Sequence, residues 1–241
     1  MGSGIAVNAT YSFTYGAPGR RKFKGPLART AGDANVDANA QRRELRRQLA
    51  DQRRALAPAQ RIAAAQGLRR SLDQLPEYLT DARVAGYWAC DGELPLNLII
   101  PPLATRGQQF LLPVIGPNHQ LRFAPWQSGQ DVQPNRYGIP EPSEPGELLE
   151  PFQLDLVLVP LTAFDRRGNR LGTGGGYYDR AFAFLNEQVR PTEPLLVGIA
   201  YAFQELPQID EEPWDVPLDF IATDRELIDC HATREDGEAH A

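Results

Sequence analysis

Apolar and polar positions alternate along the chain in a way that predicts two helices followed by a series of strands. From Gln41 onward Leu45, Leu49 and Leu56 recur at helical spacing, while Arg42, Arg43, Arg46, Arg47, Arg53 and Arg54 cover the remaining surface. Pro58 suits the first turn of a second helix that turns Ile62, Ala65, Leu68 and Leu72 inward. Residues 84–89 read as the first strand and residues 109–114 as the second, with residues 121–126 as an antiparallel addition. Residues 96–104 predict a short helix, although Pro101 and Pro102 are costly in a helix interior. Leu154, Leu156, Val157, Leu158 and Val159 make an apolar run with the length of a strand covered on both faces, as in a parallel sheet. Residues 195–200 repeat that character, and residues 220–223 form a short last strand. The result is an α/β reading with a mostly parallel sheet.

No period persists in residues 1–40, which are rich in Gly, Ala, Asn and Thr and are expected to form a disordered or poorly ordered extension. The ordered domain is expected over residues 41–229, followed by a polar tail, 230–241. A chain of 241 residues that is 42% hydrophobic suffices for one principal domain. Its net charge of −6 counts against general nucleic-acid binding. Cys90 and Cys230 suggest no disulfide framework. No apolar run reaches the roughly 18 residues of a membrane helix, and the N-terminus lacks a signal-peptide core. The expectation is a soluble, cytoplasmic protein without a membrane or disulfide partner.

The candidate chemistry centres on residues 165–184. Asp165 to Asn169 is turn chemistry, and Gly172, Gly174, Gly175 and Gly176 follow within five positions ahead of a helix. Such a loop lets backbone N–H groups approach an anion closely, or it is simply a tight connection. No Gly-Lys-Ser/Thr ends it, and Tyr177 stands where the third dinucleotide-fingerprint glycine would be. The flanking Arg170 and Asp179 favour a metal-bound nucleotide phosphate, since Mg²⁺ prefers one or two carboxylates plus phosphate oxygens. Asp219, beside the last strand, is a candidate second carboxylate. The arginine run from Arg42 to Arg70 is either a solvated face or the source of one or two polyphosphate contacts. Glu93 lies in a loop after a strand, where open parallel sheets bind ligands. Tyr137 lies in a proline-punctuated connection that is either plain surface or a binding loop. The three histidines show no zinc spacing, and no serine sits in a nucleophile elbow.

The run Asp165, Gly168-Asn169-Arg170-Leu171-Gly172-Thr173-Gly174-Gly175-Gly176-Tyr177-Tyr178-Asp179-Arg180 closely resembles the signature of the 5-formyltetrahydrofolate cyclo-ligase family. Further matches are the basic helix around Arg42 to Arg54, Asp91-Gly92-Glu93-Leu94, Tyr137-Gly138-Ile139-Pro140-Glu141-Pro142 and Trp214-Asp215-Val216-Pro217-Leu218. The resemblance implies a three-layer α/β/α fold like the NagB/RpiA/CoA-transferase group. It also implies ATP- and Mg²⁺-dependent conversion of 5-formyltetrahydrofolate to 5,10-methenyltetrahydrofolate, releasing ADP and phosphate. Phosphorylation of the formyl oxygen would make it a leaving group, and attack by N10 would close the ring. On that resemblance, Arg42, Arg46, Arg170, Leu171, Gly172, Thr173, Gly174, Gly175, Gly176, Tyr177 and Tyr178 bind ATP. Arg170 and Asp179 act in catalysis, and Asp179 and Asp219 hold Mg²⁺. Glu93, Tyr137, Thr173 and Tyr177 contact the folate.

Overall fold

Helices, then strands, follow in the order the apolar pattern predicts, in a computed structural model that describes residues 31–233, with side chains from residue 39. The chain divides into units Met1–Ala38 and Asn39–Ala241, and the second holds the sheet and the site. Helix α1 (Ala31–Arg54) begins upstream of the expected Gln41; residues 1–30 and 234–241 lie outside the described residues. Helices α2 (Pro58–Leu72) and α3 (Pro76–Thr80) follow, then β1 (Arg83–Ala85), α4 (Ile100–Thr105), β2 (Gln109–Ile115) and β3 (Leu121–Pro125). A small ribbon, β4 (Val132–Pro134) with β5 (Pro140–Pro142), precedes β6 (Leu156–Pro160). The pair β7 (Ala163–Phe164) and β8 (Arg170–Leu171) leads to α5 (Tyr177–Phe182), and β9 (Leu195–Ala200), β10 (Phe220–Thr223) and β11 (Leu227–Asp229) complete the order.

Seven strands form one sheet in the order β11-β10-β9-β6-β1-β2-β3. The five inner strands run parallel, and β11 and β3 are antiparallel edges. Alternate residues of the unbroken apolar strands face opposite sides, so both faces bury side chains. Leu156, Leu158, Val197 and Ile199 pack with Leu68, Leu72, Tyr78 and Leu103 of α2, α3 and α4. Val157, Val159 and Leu196 pack with Phe182 of α5 and with Leu185. Helical structure therefore covers both sides of the sheet.

Local departures from the expected pattern have identifiable causes. Helix α2 buries Ala64, Ala65, Gly67, Leu68, Ser71 and Leu72; of the four residues expected inward, Ile62 alone is turned out, with 59% exposure. A Cβ on Gly67 would lie 2.0 Å from the carbonyl oxygen of Asp224, so that buried face needs glycine there. Pro101 and Pro102 occupy the first turn of α4, where a missing N–H costs nothing, and the helix starts at Ile100. Beyond Ala85 the chain stays close to β2, with the Gly86 N–H donating to Leu111 O at 2.9 Å, but the ladder ends there. At the other end β11 adds an edge strand, and Cys230 is fully buried. The ordered core thus reaches one residue into the expected polar tail.

At the base of β1, Asp81 faces Asp155, Glu193 and Glu77; partial burial, then these like charges, push its carboxyl up to about 6. A carboxyl that holds its proton more tightly when folded favours folding below its unfolded value, and that gain is lost as pH rises through the folded value. Asp81→Asn is therefore expected to be more stable than the parent above about pH 7, with the gap closing as pH falls toward 3.8. Urea unfolding across that range checks this, and a gap independent of pH would contradict it.

Candidate active site

The glycine loop hangs from a turn fixed by one buried carboxylate. Asp165 is fully buried, and its oxygens accept from the N–H groups of Arg167, Asn169 and Ile209 at 3.0, 3.1 and 2.9 Å. This closes the turn between β7 and β8 and presents Arg170. The Arg170 side chain is 6% exposed and donates both to the carbonyl of Val216 and to Asp179 Oδ1. Burial weakens its hold on the proton, and the Asp179 and Asp215 charges oppose that. The loop passes through left-handed backbone at Gly174 (φ 103°) and Gly176 (φ 60°), which disfavours any residue with a Cβ. Leu171 is buried, and Thr173, Gly174 and Gly175 are exposed at the tip.

Helix α1 reaches this loop from its middle turns. Arg46 Nε donates to the Gly172 carbonyl at 2.8 Å, and Arg42 donates to the Asp210 carbonyl at 2.7 Å and pairs with Glu212 at 3.2 Å. Burial, then the neighbouring charge of Arg42, lowers the proton affinity of Arg46. Arg46 thus sits on the loop, with Arg42 close enough for its charge to be felt and itself held by Glu212.

The C-terminal end of the same helix holds the loop that carries Glu93. Gly92 has φ 77°, and a Cβ there would lie 3.0 Å from the Arg53 carbonyl carbon. Asp91, itself left-handed at φ 50°, is paired by Arg54 and lies 3.8 Å from Arg53. Arg61 closes the helix end by donating to the carbonyls of Arg53, Arg54 and Leu56 at 3.2, 3.1 and 3.1 Å. Glu93 Oε2 accepts the Cys90 N–H at 2.9 Å. Burial raises the Glu93 carboxyl above the usual range, offset by that hydrogen bond and by Arg53. Tyr178 spans the two halves: burial first, then Glu93, raises its phenol, while Arg170 opposes the shift.

Arg53 departs from the expected arginine surface. It is 2% exposed, donates to Leu161 O at 3.2 Å, and its Nε has no partner among the described residues. Leu45, Leu49, Arg53 and Leu56 form one helical stripe, so position rather than residue type foretold its burial. The other arginines of the run divide: Arg47 and Arg54 form surface pairs with Glu44, Asp51 and Asp91, Arg46 contacts the loop, and Arg42 is held by Asp210 and Glu212.

Tyr137 and Tyr177, expected at one substrate, do meet: their hydroxyls are 2.7 Å apart. Arg136 donates to the Tyr177 hydroxyl at 3.1 Å, and His119 Nδ1 lies 2.9 Å from it. The Tyr137 hydrogen bond, then the bond from Arg136, lowers the Tyr177 phenol despite partial desolvation.

Asp219 is not brought to Asp179. It is 1% exposed at the start of β10; Arg190 grips it, His231 Nε2 lies 2.9 Å away, and the Leu196 N–H donates to it at 2.8 Å. With both oxygens engaged, it does not fit the expected metal role. Asp215 instead precedes Val216, whose N–H reaches Asp179 Oδ1 at 3.5 Å; burial raises the Asp215 carboxyl, the Glu212 N–H opposes this, and the Asp179 charge adds to it. Among the described residues no group of three or more His, Cys, Asp or Glu side chains could hold a metal.

Fold and site together define an α/β enzyme built around an arginine-flanked glycine loop. The 5-formyltetrahydrofolate cyclo-ligase family model matches residues 38–224, and the chain belongs to that family. It is 34% identical over 180 residues to a 5-formyltetrahydrofolate cyclo-ligase of Haemophilus influenzae, covering 73% of this chain and 94% of that protein. It is 28% identical over 197 residues to the mouse enzyme of the same name, covering 78% and 96%. The solved 5,10-methenyltetrahydrofolate synthetase of Aquifex aeolicus superposes with a TM-score of 0.66 at 31% identity, covering 78% of this chain and 92% of that one.

The Asp219 contacts yield a stability prediction. Asp219→Asn leaves the Arg190 guanidinium, 10% exposed, without its counter-charge. The expected loss is roughly 3 kcal/mol or more, read as a lower urea midpoint. A variant as stable as the parent would contradict the clasp.

Proposed function

We propose that this protein catalyses the ATP- and Mg²⁺-dependent cyclisation of 5-formyltetrahydrofolate to 5,10-methenyltetrahydrofolate in the cytoplasm, on a NagB/RpiA/CoA-transferase-like frame. The observation that carries the reading is the convergence of Arg46, Arg170 and Asp179 on one exposed glycine loop. Phosphoryl transfer needs positioning and charge neutralisation more than a protein nucleophile. Arg42 and Arg46 would pair with nucleotide phosphates, and the amides from Gly172 to Gly176 would line the transferred group. Asp179, with Asp215 alongside, fits a hard divalent cation that also takes phosphate oxygens. That ion would neutralise phosphate charge.

On the folate side, Glu93 would accept hydrogen bonds from the donor edge of the pterin, its carboxylate kept ready by Arg53. Tyr137, Tyr177 and Thr173 would contact the rest of the substrate. Holding N10 against the formyl carbon is then a matter of orientation, because loss of phosphate replaces an unfavourable dehydration.

The test is turnover of 5-formyltetrahydrofolate with ATP and Mg²⁺, followed by the near-ultraviolet absorbance of the methenyl product. Arg170→Ala and Asp179→Asn are each expected to lower kcat by about 10²-fold or more, a typical loss for a charge-stabilising group. No ATP-dependent product from the unaltered protein would overturn the assignment.

A further inference from the structure

Two arginines beside the substrate tyrosines have no counter-charge. Arg136 lies over the Tyr137 ring at 5.0 Å and donates to the Tyr177 hydroxyl; Arg180 lies over the Tyr177 ring at 5.3 Å and donates to the Gly175 carbonyl at 2.7 Å. Neither forms an ion pair among the described residues, although Arg47, Arg54, Arg166 and Arg190 are all paired. Leaving such charges unpaired in a chain of net charge −6 is a local bias toward anions. Each guanidinium has five N–H donors, and these contacts use few of them.

Two neighbours of Tyr177, His119 and Arg180, also line a groove of about 580 Å³ whose walls include Phe152 and Glu150. His119 stands in left-handed backbone at φ 60°, as does Asn118 at φ 54°, and its ring nitrogen meets the Tyr177 hydroxyl at 2.9 Å. Arg136, Arg180 and His119 therefore approach Tyr177 together. Glu150 is the acidic wall residue, and it disfavours a carboxylate elsewhere in the groove.

We infer that Arg136 and Arg180, with His119, form the carboxylate-recognition end of the folate site and hold the glutamyl end of the substrate at Tyr177. This rests on the proposed function and deepens it. A folate is asymmetric, with a hydrogen-bonding bicycle at one end and carboxylates at the other. Glu93 offers a carboxylate to the first, and the guanidinium pair suits the second, since fork-shaped cations bind carboxylates with defined geometry. The two ends together set the direction in which the substrate lies across the glycine loop.

The experiment compares KM for 5-formyltetrahydrofolate with KM for 5-formyltetrahydropteroate, which lacks the glutamyl group, in the parent, in Arg136→Ala/Arg180→Ala and in the double lysine variant. The parent is expected to favour the glutamyl substrate by about tenfold or more, the scale of a charge-assisted hydrogen bond. The alanine pair should bring the ratio close to one, the lysine pair should restore part of it, and added salt should shrink it in the parent. A ratio near one in the parent, or one that the alanine pair leaves unchanged, overturns the inference while turnover itself still stands. Turnover of neither substrate by the parent overturns the proposed function and this inference with it.

Discussion

A buried guanidinium ties together three segments that share one apolar core. Arg170 leaves a two-residue strand, reaches Asp179 on α5, and fixes the chain at Val216, while Phe164, Phe182, Val216 and Leu218 pack in that core. Enclosing a cation is costly unless it is paired and hydrogen-bonded, so losing either partner destabilises this junction. Asp165 supplies the complementary constraint from below by fixing the turn that aims Arg170. The glycine loop between them needs little contact of its own, and its exposed amides remain available.

Helix α1 turns this local arrangement into a two-ended site. Its earlier turns place Arg46 on the Gly172 carbonyl, and its last turn packs on Gly92 and pairs with Asp91. The proposed nucleotide end and the proposed folate end therefore share one rigid element. Tyr178 adds a second link, because its phenol feels both Glu93 and Arg170. The charge pattern follows the same division, with Arg46 on the loop and a partly desolvated carboxylate at Glu93.

The central strands were legible because a fully buried parallel strand is written as an unbroken apolar run, as at residues 156–159 and 195–200. The ribbons β4–β5 and β7–β8 were not legible, since two or three residues carry no period. In the candidate site, Arg170, Asp179, Glu93 and Tyr137 could be picked out as candidates because turn, loop and charge chemistry mark them, whereas Arg46 and Tyr177 were singled out only through the family resemblance. Arg53 was hidden by residue type, although its place on the leucine stripe gave it away. Asp219 reads the same in sequence whether it faces solvent or is enclosed; only the approach of Arg190 and His231 distinguishes the two. Asp215 stood within the Trp214-Asp215-Val216 match, but nothing local tied it to Asp179.

In the proposed function the nucleotide phosphates lie on the loop from Gly172 to Gly176, with Arg46 and Arg170. A crystal structure of the full chain with a non-hydrolysable ATP analogue and Mg²⁺ is the direct test. Phosphate density is expected against the loop amides, with the ion beside Asp179. Phosphates seated elsewhere, with the loop and Arg46 unengaged, would contradict it.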